Sequence, residues 1–505
     1  MFAVAFPPFD WLWPAIAAPA IVAVLVAKAA ERDAPRRAVA LAALFATVGY
    51  GANLLWLWRG LALVTWWAPV GFVFAALWHG LLFGAVVGGG GALLHRRWRV
   101  PPVGWLPVCW IAWETLLAHF GALRFPWLPL GLATAAWPTL VQAAELAGVS
   151  GLSAVLVLCA ALLASAWRHR GQRVRGAVHA ALAVGVLGAL AGYGAWRAPR
   201  IPLRPLGRVA VVQQNMPQAL KIRGGAEAQY VGVLTAMTRD LATRRDARPL
   251  GLVLWPETAM DGFLAEHPEW RDSLAVAARV ARAPVLAGLV DLEVIGDGRF
   301  RMYNAATLVR ADGTPAPGAP YRKQHLVPML ERVPLLADAS DALYGAGSGL
   351  GGFSRGADAR PITIAAGRVG ALICFESVIP EAARRARAAG ADLLAVLTND
   401  AWFGVSAAPH QHAAHAVLRA VETRAAVVQA ANSGPSLVVD ARGRMSRATP
   451  LLATATPVFD VATSDVRTPW VRYGDWLGAS SALLLALAVA ERLVARMGRS
   501  AANPE

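Results

Sequence analysis

The sequence predicts a multi-pass α-helical membrane bundle joined to a globular α/β domain. The chain has 505 residues, of which 56% are hydrophobic and only 16% charged, whereas soluble domains average about 25% charged residues. The apolar residues are also concentrated in long uncharged stretches, while residues 205–470 mix short apolar runs with charged residues, Gly and Pro. This composition excludes a disordered chain and disfavours an ordinary soluble protein.

Each apolar stretch approaches or exceeds the length of about 17–20 residues that a helix needs to cross a bilayer. The stretches cover residues 11–28, 38–57, 70–94, 103–120, 150–167, 176–196 and a last one that begins at Trp476. Buried core helices of a large soluble protein are the alternative, but so many long uncharged stretches in succession are rare outside membranes.

Basic loops predict the orientation in the membrane. The short loops Arg32–Arg37, Arg96–Arg99 and Arg168–Arg175 are rich in arginine, and the C-terminal tail is basic as well. Because short cytoplasmic loops carry an excess of Lys and Arg, we expect residues 200–470 on the opposite face. Topology thereby explains much of the formal net charge of +16, and we expect no nucleic-acid partner.

Short strands rich in Val, Leu, Ile and Ala are predicted within residues 205–470. Helical patterns at 264–282 and 409–425 lie between several of them. This alternation indicates an α/β class with a mostly buried sheet. The strands are predicted at residues 208–214, 251–255, 284–289, 303–309, 369–374, 392–397, 426–431 and 436–440.

Three residues with complementary chemistry lie at or near strand ends. Glu257 supplies a base, Lys323 a cation and Cys374 a nucleophile that precedes a helix-forming run. A thiolate beside Lys323 is expected to react readily with alkylating probes at neutral pH. Taken singly, each residue also has a plain explanation as a surface acid, a solvated lysine or a small core residue.

The combination of motifs is more specific than the residues alone. The chain contains WPE ending at Glu257, YRKQHLVP at 321–328, CFES at 374–377 and TNDAWFG at 398–404. This series resembles the nitrilase superfamily, whose members have an α-β-β-α sandwich and a Glu-Lys-Cys triad. With apolar helices on both sides, and with AFPPF at 5–9, FPWLPLG at 125–131 and QAANSG at 429–434, the chain resembles the apolipoprotein N-acyltransferase family.

The resemblance implies an activity without a cofactor. A fatty acyl group passes from a membrane phospholipid, through a thioester on Cys374, to the α-amino group of the N-terminal diacylglyceryl cysteine of an apolipoprotein, with Glu257 as base and Lys323 as charge stabiliser. It further implies the bacterial inner membrane, with transmembrane helices in residues 1–200, a periplasmic catalytic domain in 201–470, and a last span with a cytoplasmic tail in 471–505. Supporting roles are implied for Glu331, Glu376, Asn399, Trp402 and Phe403.

Departures from the family motifs leave other functions in competition with acyl transfer to apolipoproteins. The chain departs from the family at Met329-Leu330-Glu331-Arg332, where Phe-Gly-Glu-Tyr is usual, and at Gln214 and Ile222. An amidase, an N-acyltransferase acting on another amine, and a non-catalytic membrane scaffold are the competing functions. Trp402 and Phe403 suit either an apolar lid over the thioester or core packing.

Polar residues elsewhere have less specific interpretations. His410, His412 and His415 lack the accompanying ligands of a metal site, so we predict no metal. Glu114 and Glu145, in or beside apolar stretches, either bond a neighbouring helix or face a cavity below the catalytic domain.

The N-terminus presents a separate expectation. In the family AFPPF follows a complete first helix, whereas four residues precede it here, so we expect either an upstream span or an N-terminus that lies outside or re-enters.

Overall fold

A computed structural model of the chain describes residues 1–247, 249–264, 266–296, 299–317, 320–332, 352–357, 360–446 and 448–502. The chain divides into two compact units. The helical unit comprises Met1–Leu55, Val70–Trp196 and the chain from Tyr473 onward. The α/β unit comprises Trp56–Pro69 and Arg197–Arg472, so a short segment from the N-terminal half belongs to it, which the sequence analysis did not anticipate.

The helices are α1 Leu12–Glu31, α2 Pro35–Asn53, α3 Trp56–Leu61, α4 Ala68–Phe83, α5 Gly90–Arg97, α6 Pro102–His119, α7 Ala144–Arg168, α8 Arg173–Arg197, α9 Gln218–Arg223, α10 Glu227–Thr243, α11 Pro268–Ala281, α12 Pro380–Ala388, α13 Ala408–Thr423, α14 Pro469–Tyr473 and α15 Trp476–Ala502.

Helices form at all seven predicted apolar stretches. Within the described residues, five helical segments are long and apolar enough to cross a membrane, namely Leu12–Glu31, Ala68–Arg97, Val141–Arg168, Arg173–Arg200 and Trp476–Met497. The helices α2 and α6 fall outside this set. Arginines begin α2 and Asn53 ends it, while α6 carries Glu114. These segments confirm a membrane helical bundle.

Small residues let α2 and α4 approach closely. Gly80, Gly84 and Gly88 recur every four residues along α4 and the π-helical segment Gly84–Gly89 that continues it. A Cβ added at these three positions would lie 1.8 Å from Thr47 Oγ1, 2.7 Å from Ala43 Cβ and 2.7 Å from the Ala38 carbonyl oxygen, respectively. Such glycine spacing is typical of helix pairs in membranes.

The buried acids of the helical unit contact neighbouring segments. Glu114 Oε1 accepts hydrogen bonds from Trp110 Nε1 at 3.0 Å and from the Leu130 backbone N–H at 2.8 Å. The hydroxyl of Tyr193, on α8, donates to Glu145, on α7. Both carboxylates therefore link segments of the helical unit.

The strands of the α/β unit are β1 Arg204–Val211, β2 Leu252–Phe263, β3 Val285–Gly296, β4 Arg299–Val309, β5 Tyr321–Arg322, β6 Ile362–Ile364, β7 Gly367–Ile373, β8 Leu393–Thr398, β9 Ala426–Ala431, β10 Leu437–Val439, β11 Met445–Ser446 and β12 Val458–Thr463.

These strands form two six-stranded sheets in the described residues, ordered β12-β1-β2-β3-β4-β5 and β11-β10-β9-β8-β7-β6. Neighbours β1, β2 and β3 are parallel, as are β7, β8 and β9. All eight predicted strands are present, while β5, β6, β11 and β12, which are short or lie at a sheet edge, were missed.

A shared apolar core lies between the sheets, with Leu254 and Leu286 from one sheet and Ile373 and Leu397 from the other. Helices α10 and α11 cover the outer face of the first sheet, and α12 and α13 pack against the second. The predicted α-β-β-α sandwich is confirmed. Strand β2 contacts β8 and β9 across the core, and β4 contacts β7, so Glu257 within β2 and the residues that follow β7 and β8 can meet.

Candidate active site

Cys374 begins a short 3-10 turn immediately after β7. Its φ is +51°, in the left-handed region, which costs a non-glycine residue about 1–3 kcal/mol and persists where the surroundings enforce it. The residue is buried, with 9% of its surface exposed. Strained backbone of this kind concentrates at active sites, so Cys374 differs from an ordinary core cysteine.

Glu257 is buried in β2, where a glycine of the next strand allows close packing. A Cβ on Gly288 would lie 2.7 Å from the Glu257 Cα, so the strand needs glycine there. The following residue, Thr258, also has a positive φ, +45°. Lys221 Nζ donates to the Thr258 carbonyl oxygen at 2.7 Å, and this contact holds the backbone beside Glu257.

Lys323 follows β5 and is almost completely buried between two carboxylates. Its Nζ lies 3.2 Å from Glu257 Oε1 and 2.9 Å from Glu331 Oε1. Asn304 Nδ2 donates to the same two oxygens, at 2.8 Å and 2.9 Å. Sequence reasoning missed Asn304, although an amide inside the apolar strand YNAATLV was a usable signal.

The turn that carries Glu331 keeps the acid in place despite its altered sequence. Glu331 Oε2 accepts from the Val327 backbone N–H at 2.8 Å, and the Glu331 N–H donates to the Val327 carbonyl at 3.1 Å. The positive φ of this turn, +66°, falls on Met329, not on Leu330, which stands where the family has glycine. The acid therefore keeps its place beside Lys323 without that glycine.

Burial dominates the electrostatics of the thiol. It raises the pKa of Cys374 well above its usual value, the charge of Glu257 raises it further, and Lys323 opposes them. Burial alone would lower the pKa of Lys323, but the carboxylates of Glu331 and Glu257 raise it above its usual value. The net direction favours a neutral thiol at rest, beside a lysine cation that two acids share. The reactive thiolate stays a prediction that alkylation of Cys374 tests.

Glu376 ties the cysteine turn to the lysine loop. It accepts backbone N–H groups from Ile373 at 2.8 Å, Gln324 at 2.7 Å and His325 at 3.1 Å, and the Tyr321 hydroxyl at 2.8 Å. Burial raises the pKa of Glu376, although these donors act against the shift. These contacts connect the turn that begins at Cys374 with the chain on either side of Lys323.

Asn399 joins the two sheets at the site. Its backbone N–H donates to Glu257 Oε2 at 2.9 Å, and its Nδ2 donates to Gln218 Oε1 at 2.7 Å. Its Oδ1 accepts from Asn432 Nδ2 at 2.9 Å. The carboxylate of Glu257 is thus fixed from both sides, by Asn399 on one oxygen and by Lys323 and Asn304 on the other.

Trp402 and Phe403 lie on the short turn Asp400–Phe403 and are partly exposed. The Phe403 ring packs edge-to-face on Trp56, with centroids 4.7 Å apart. A Cβ on Gly60 would lie 3.0 Å from the Trp402 carbonyl oxygen. Both aromatic residues therefore pack on the segment Trp56–Pro69.

Two of the three histidines considered above are buried, and His412 contacts Asp400 and Ser377. In the described parts of the chain, no three His, Cys, Asp or Glu side chains come together as metal ligands would. Sequence reasoning missed the pair formed by Asp400 and His412, although both lie inside motifs that it had singled out.

Two facing sheets with a buried Glu-Lys-Cys cluster at one end define a carbon-nitrogen hydrolase type of domain, and the family model described as carbon-nitrogen hydrolase matches residues 208–468. The model described as the apolipoprotein N-acyltransferase N-terminal domain matches residues 1–162. The chain belongs to the apolipoprotein N-acyltransferase family.

Curated relatives of this name match the chain over most of their length. The apolipoprotein N-acyltransferase of Geobacter metallireducens is 30% identical over 91% of this chain and 88% of its own. That of Azotobacter vinelandii is 35% identical over 78% and 74%. Among solved structures, the carbon-nitrogen hydrolase from Helicobacter pylori G27 aligns at 15% identity and a TM-score of 0.39, over 52% of this chain and 89% of that one. Membership of the family rests on the sequence matches.

Proposed function

We propose that the chain transfers a fatty acyl group from a membrane phospholipid, through a thioester on Cys374, to the α-amino group of the N-terminal diacylglyceryl cysteine of apolipoproteins. The observation that carries this proposal is the burial of Glu257, Lys323 and Cys374, with Lys323 hydrogen-bonded to Glu257 and the charges of both acting on the Cys374 thiol. Family membership and the apolar helices supply the context of two lipid-anchored substrates.

In the first half-reaction, Glu257 takes the thiol proton as the sulfur attacks the ester carbonyl of the phospholipid. The resting thiol is protonated, so proton removal and attack are coupled. Lys323 stabilises the negative charge that develops on the carbonyl oxygen, which is worth several kcal/mol in a site that excludes water. The carbon–oxygen bond then breaks, and the lysophospholipid leaves with the proton held by Glu257.

In the second half-reaction, the acceptor amine attacks the thioester carbonyl and Glu257 takes a proton from the nitrogen. The carbon–sulfur bond breaks and the thiol of Cys374 forms again, which gives ping-pong kinetics. Glu331 holds Lys323 beside Glu257, and Glu376 and Asn399 fix the cysteine turn and the base. Trp402 and Phe403 supply apolar surface near the thioester.

We place the enzyme in the bacterial inner membrane, with transmembrane helices in residues 1–200, the catalytic domain of residues 201–470 in the periplasm, and a last helix and cytoplasmic tail in 471–505. The arginine-rich loops that precede or follow the apolar helices support this orientation.

The decisive experiment is mass spectrometry of lipoprotein N-termini in cells that are depleted of their own enzyme and express this chain. We expect conversion from diacyl to triacyl forms, no conversion with Cys374→Ala, and normal conversion with Cys109→Ala, which changes another buried cysteine. A hydroxylamine-sensitive acyl group should be found on Cys374 itself. Acyl labelling that persists in Cys374→Ala would overturn the proposal.

An amidase that hydrolyses a small C–N bond is the second candidate, and the match to the carbon-nitrogen hydrolase family favours it. In that case water, not an amine, would discharge the acyl-enzyme. Isolated acyl-enzyme is expected to be stable in buffer and to be discharged when a diacylglyceryl peptide amine is added. Rapid discharge by buffer alone would support the amidase.

A further inference from the structure

The backbone carbonyl of Cys374 is held by two residues that the reaction above does not use. Ser377 Oγ donates to this oxygen at 2.9 Å, and His412 Nε2 lies 3.2 Å from it. Ser377 Oγ and His412 Nε2 are themselves 2.7 Å apart. The residue with the strained φ therefore has its carbonyl fixed from the side of α13.

The other ring nitrogen of His412 contacts a buried carboxylate. His412 Nδ1 lies 2.9 Å from Asp400 Oδ1, and both side chains are fully buried. The same oxygen accepts the Thr398 hydroxyl at 2.7 Å. The Thr398 side chain is also a hydrogen-bond partner of the Cys374 thiol. Asp400 is thus connected to both ends of Cys374, to its thiol through Thr398 and to its carbonyl through His412.

Two arrangements of hydrogens satisfy these contacts. In both of them Nδ1, which faces a carboxylate oxygen, carries a hydrogen. When Ser377 donates to the Cys374 carbonyl, Nε2 faces two acceptors and carries a second hydrogen, which makes the ring an imidazolium and its contact with Asp400 an ion pair. When Ser377 donates to Nε2 instead, the ring is neutral.

We propose that the buried ion pair of Asp400 and His412 holds Cys374 in its left-handed conformation, which makes His412 a positioning residue for the nucleophile. The inference rests on the proposed function, because it takes Cys374 as the attacking group.

Close approach of the neighbouring loop keeps Asp400 in place. A Cβ on Gly434 would lie 2.6 Å from both Cβ and Oδ2 of Asp400. Since Gly434 ends the QAANSG motif, the motif supplies a residue without a side chain where the carboxylate needs room.

Two acids act on His412. Burial is the largest single effect and lowers its pKa, but the charges of Asp400 and Glu257 and the hydrogen bonds of the ring outweigh burial, so the pKa of His412 is raised. The strands β9 and β10 contain no ionisable residue. On α13 itself, Arg419 pairs with Glu422, and from α12 Arg387 donates to the carbonyl of Thr423, at the far end of α13.

The ion pair predicts a basic limit to activity. Because the pKa of His412 is raised in the folded protein, the positioned form is present at lower pH and is lost as the pH rises through that pKa. Loss of the Nε2 proton would let the Ser377 hydroxyl turn from the Cys374 carbonyl to Nε2. That carbonyl would then lose both of its donors, and the strained turn would be released.

The test measures the rate of thioester formation against pH in the full-length protein with phospholipid. In Asp400→Asn the basic limb should move to lower pH by about 1–3 units, since an opposite charge shifts a pKa by that amount. In His412→Gln the side chain keeps an N–H donor but cannot titrate, so the rate near neutral pH should stay within roughly tenfold of the parent, and this limb should disappear. His410→Gln, an exposed position on the same helix, should leave the profile unchanged.

A basic limb that stays at the parental pH in both Asp400→Asn and His412→Gln overturns the inference, as does a His412→Gln rate that falls equally at every pH. A second measurement does not depend on acyl transfer. With carbon-13-labelled histidine, the resonance absent from His412→Gln should show an imidazolium at neutral pH. A neutral ring there contradicts the ion pair, whereas an imidazolium in a protein that forms no thioester contradicts only the proposed function.

Discussion

Buried carboxylates are held in two different ways in the two units of this chain. In the helical unit, Glu114 accepts from the neutral donors Trp110 and the Leu130 backbone N–H. Such donors satisfy a carboxylate and link helices, but they supply no charge of opposite sign.

In the α/β unit three buried acids of the site face cationic side chains, while Glu376 accepts from neutral donors. Glu257 and Glu331 share the ammonium group of Lys323, and Asp400 faces the imidazole of His412. A buried ion pair contributes little net stability compared with apolar packing, because desolvation offsets the attraction. Burial alone therefore does not identify a reactive acid. The charge of its partner separates the acids that link helices from those placed to exchange protons.

The largest effect is expected when the shared cation is removed. Lys323→Met leaves two carboxylates buried without a counter-charge, so we expect thioester formation to fall by about 10²–10³-fold or more and the free energy of unfolding to fall by about 3–5 kcal/mol. Single-turnover acylation and thermal unfolding in detergent measure the two effects.

Arg322 offers a matched control for the lysine. It is the preceding residue and pairs with Asp291 at a partly exposed position, where an ion pair contributes about 0–1 kcal/mol. Arg322→Met should therefore change both measurements little. Equal losses in the two variants would show that the shared cation has no special role.

Glu257→Gln should separate two properties of the thiol. Burial raises the pKa of Cys374 first and Glu257 raises it further, so removing this charge lowers the thiol pKa and should speed alkylation of Cys374 at a given pH. Acyl transfer should fall by about 10²–10⁴-fold, because the base is lost. Peptide mass spectrometry after iodoacetamide treatment follows the alkylation. Slower alkylation together with lost activity would indicate a disrupted site instead.

The sequence predicted the sandwich, its main strands and the cluster of Glu257, Lys323 and Cys374, because buried strands have a clear apolar pattern and the family motifs carry the acid, the lysine and the thiol in order. For Asn304 the sequence signals only an amide inside an apolar strand, not its partners. Its two hydrogen bonds depend on the position of β4, two strands from β2 in the same sheet, and on the turn that carries Glu331, and neither is a local property of the chain.

The assignment of the segment Trp56–Pro69 to the α/β unit was missed for a similar reason. It lies between apolar helices and is itself rich in apolar residues, so its composition does not separate it from them. Its contacts with Trp402 and Phe403 join residues more than 300 positions apart in the chain. The raised pKa of the Cys374 thiol was also not predicted, because burial, which has no signature in the local motif, outweighs the nearby lysine.

A smaller effect is expected from packing in the helical unit, where shape contributes more than charge. Gly84→Ala would place a Cβ 2.8 Å from the Val39 carbonyl oxygen and 2.7 Å from Ala43 Cβ, and overpacking of this kind costs about 1–3 kcal/mol. Gly89→Ala, in the same π-helical segment, meets its nearest atom at an ordinary 3.5 Å. Thermal unfolding should therefore show a lower midpoint for Gly84→Ala only. A similar decrease in both variants would point to the backbone of the segment rather than to the helix contact.

The smallest effect is expected where an acid has only neutral donors. In Glu114→Gln the amide oxygen can still accept from Trp110 and Leu130, so the free energy of unfolding should change by about 1 kcal/mol or less, and acyl transfer should stay close to the parental rate. Glu331→Gln makes the same substitution in an acid that faces Lys323 at 2.9 Å, and there we expect acyl transfer to fall by about 10²-fold. Steady-state acylation and unfolding of the two variants, measured side by side, compare the same chemical change in the two units. If Glu114→Gln impairs acyl transfer as strongly as Glu331→Gln does, the charge of the partner does not separate the two kinds of acid.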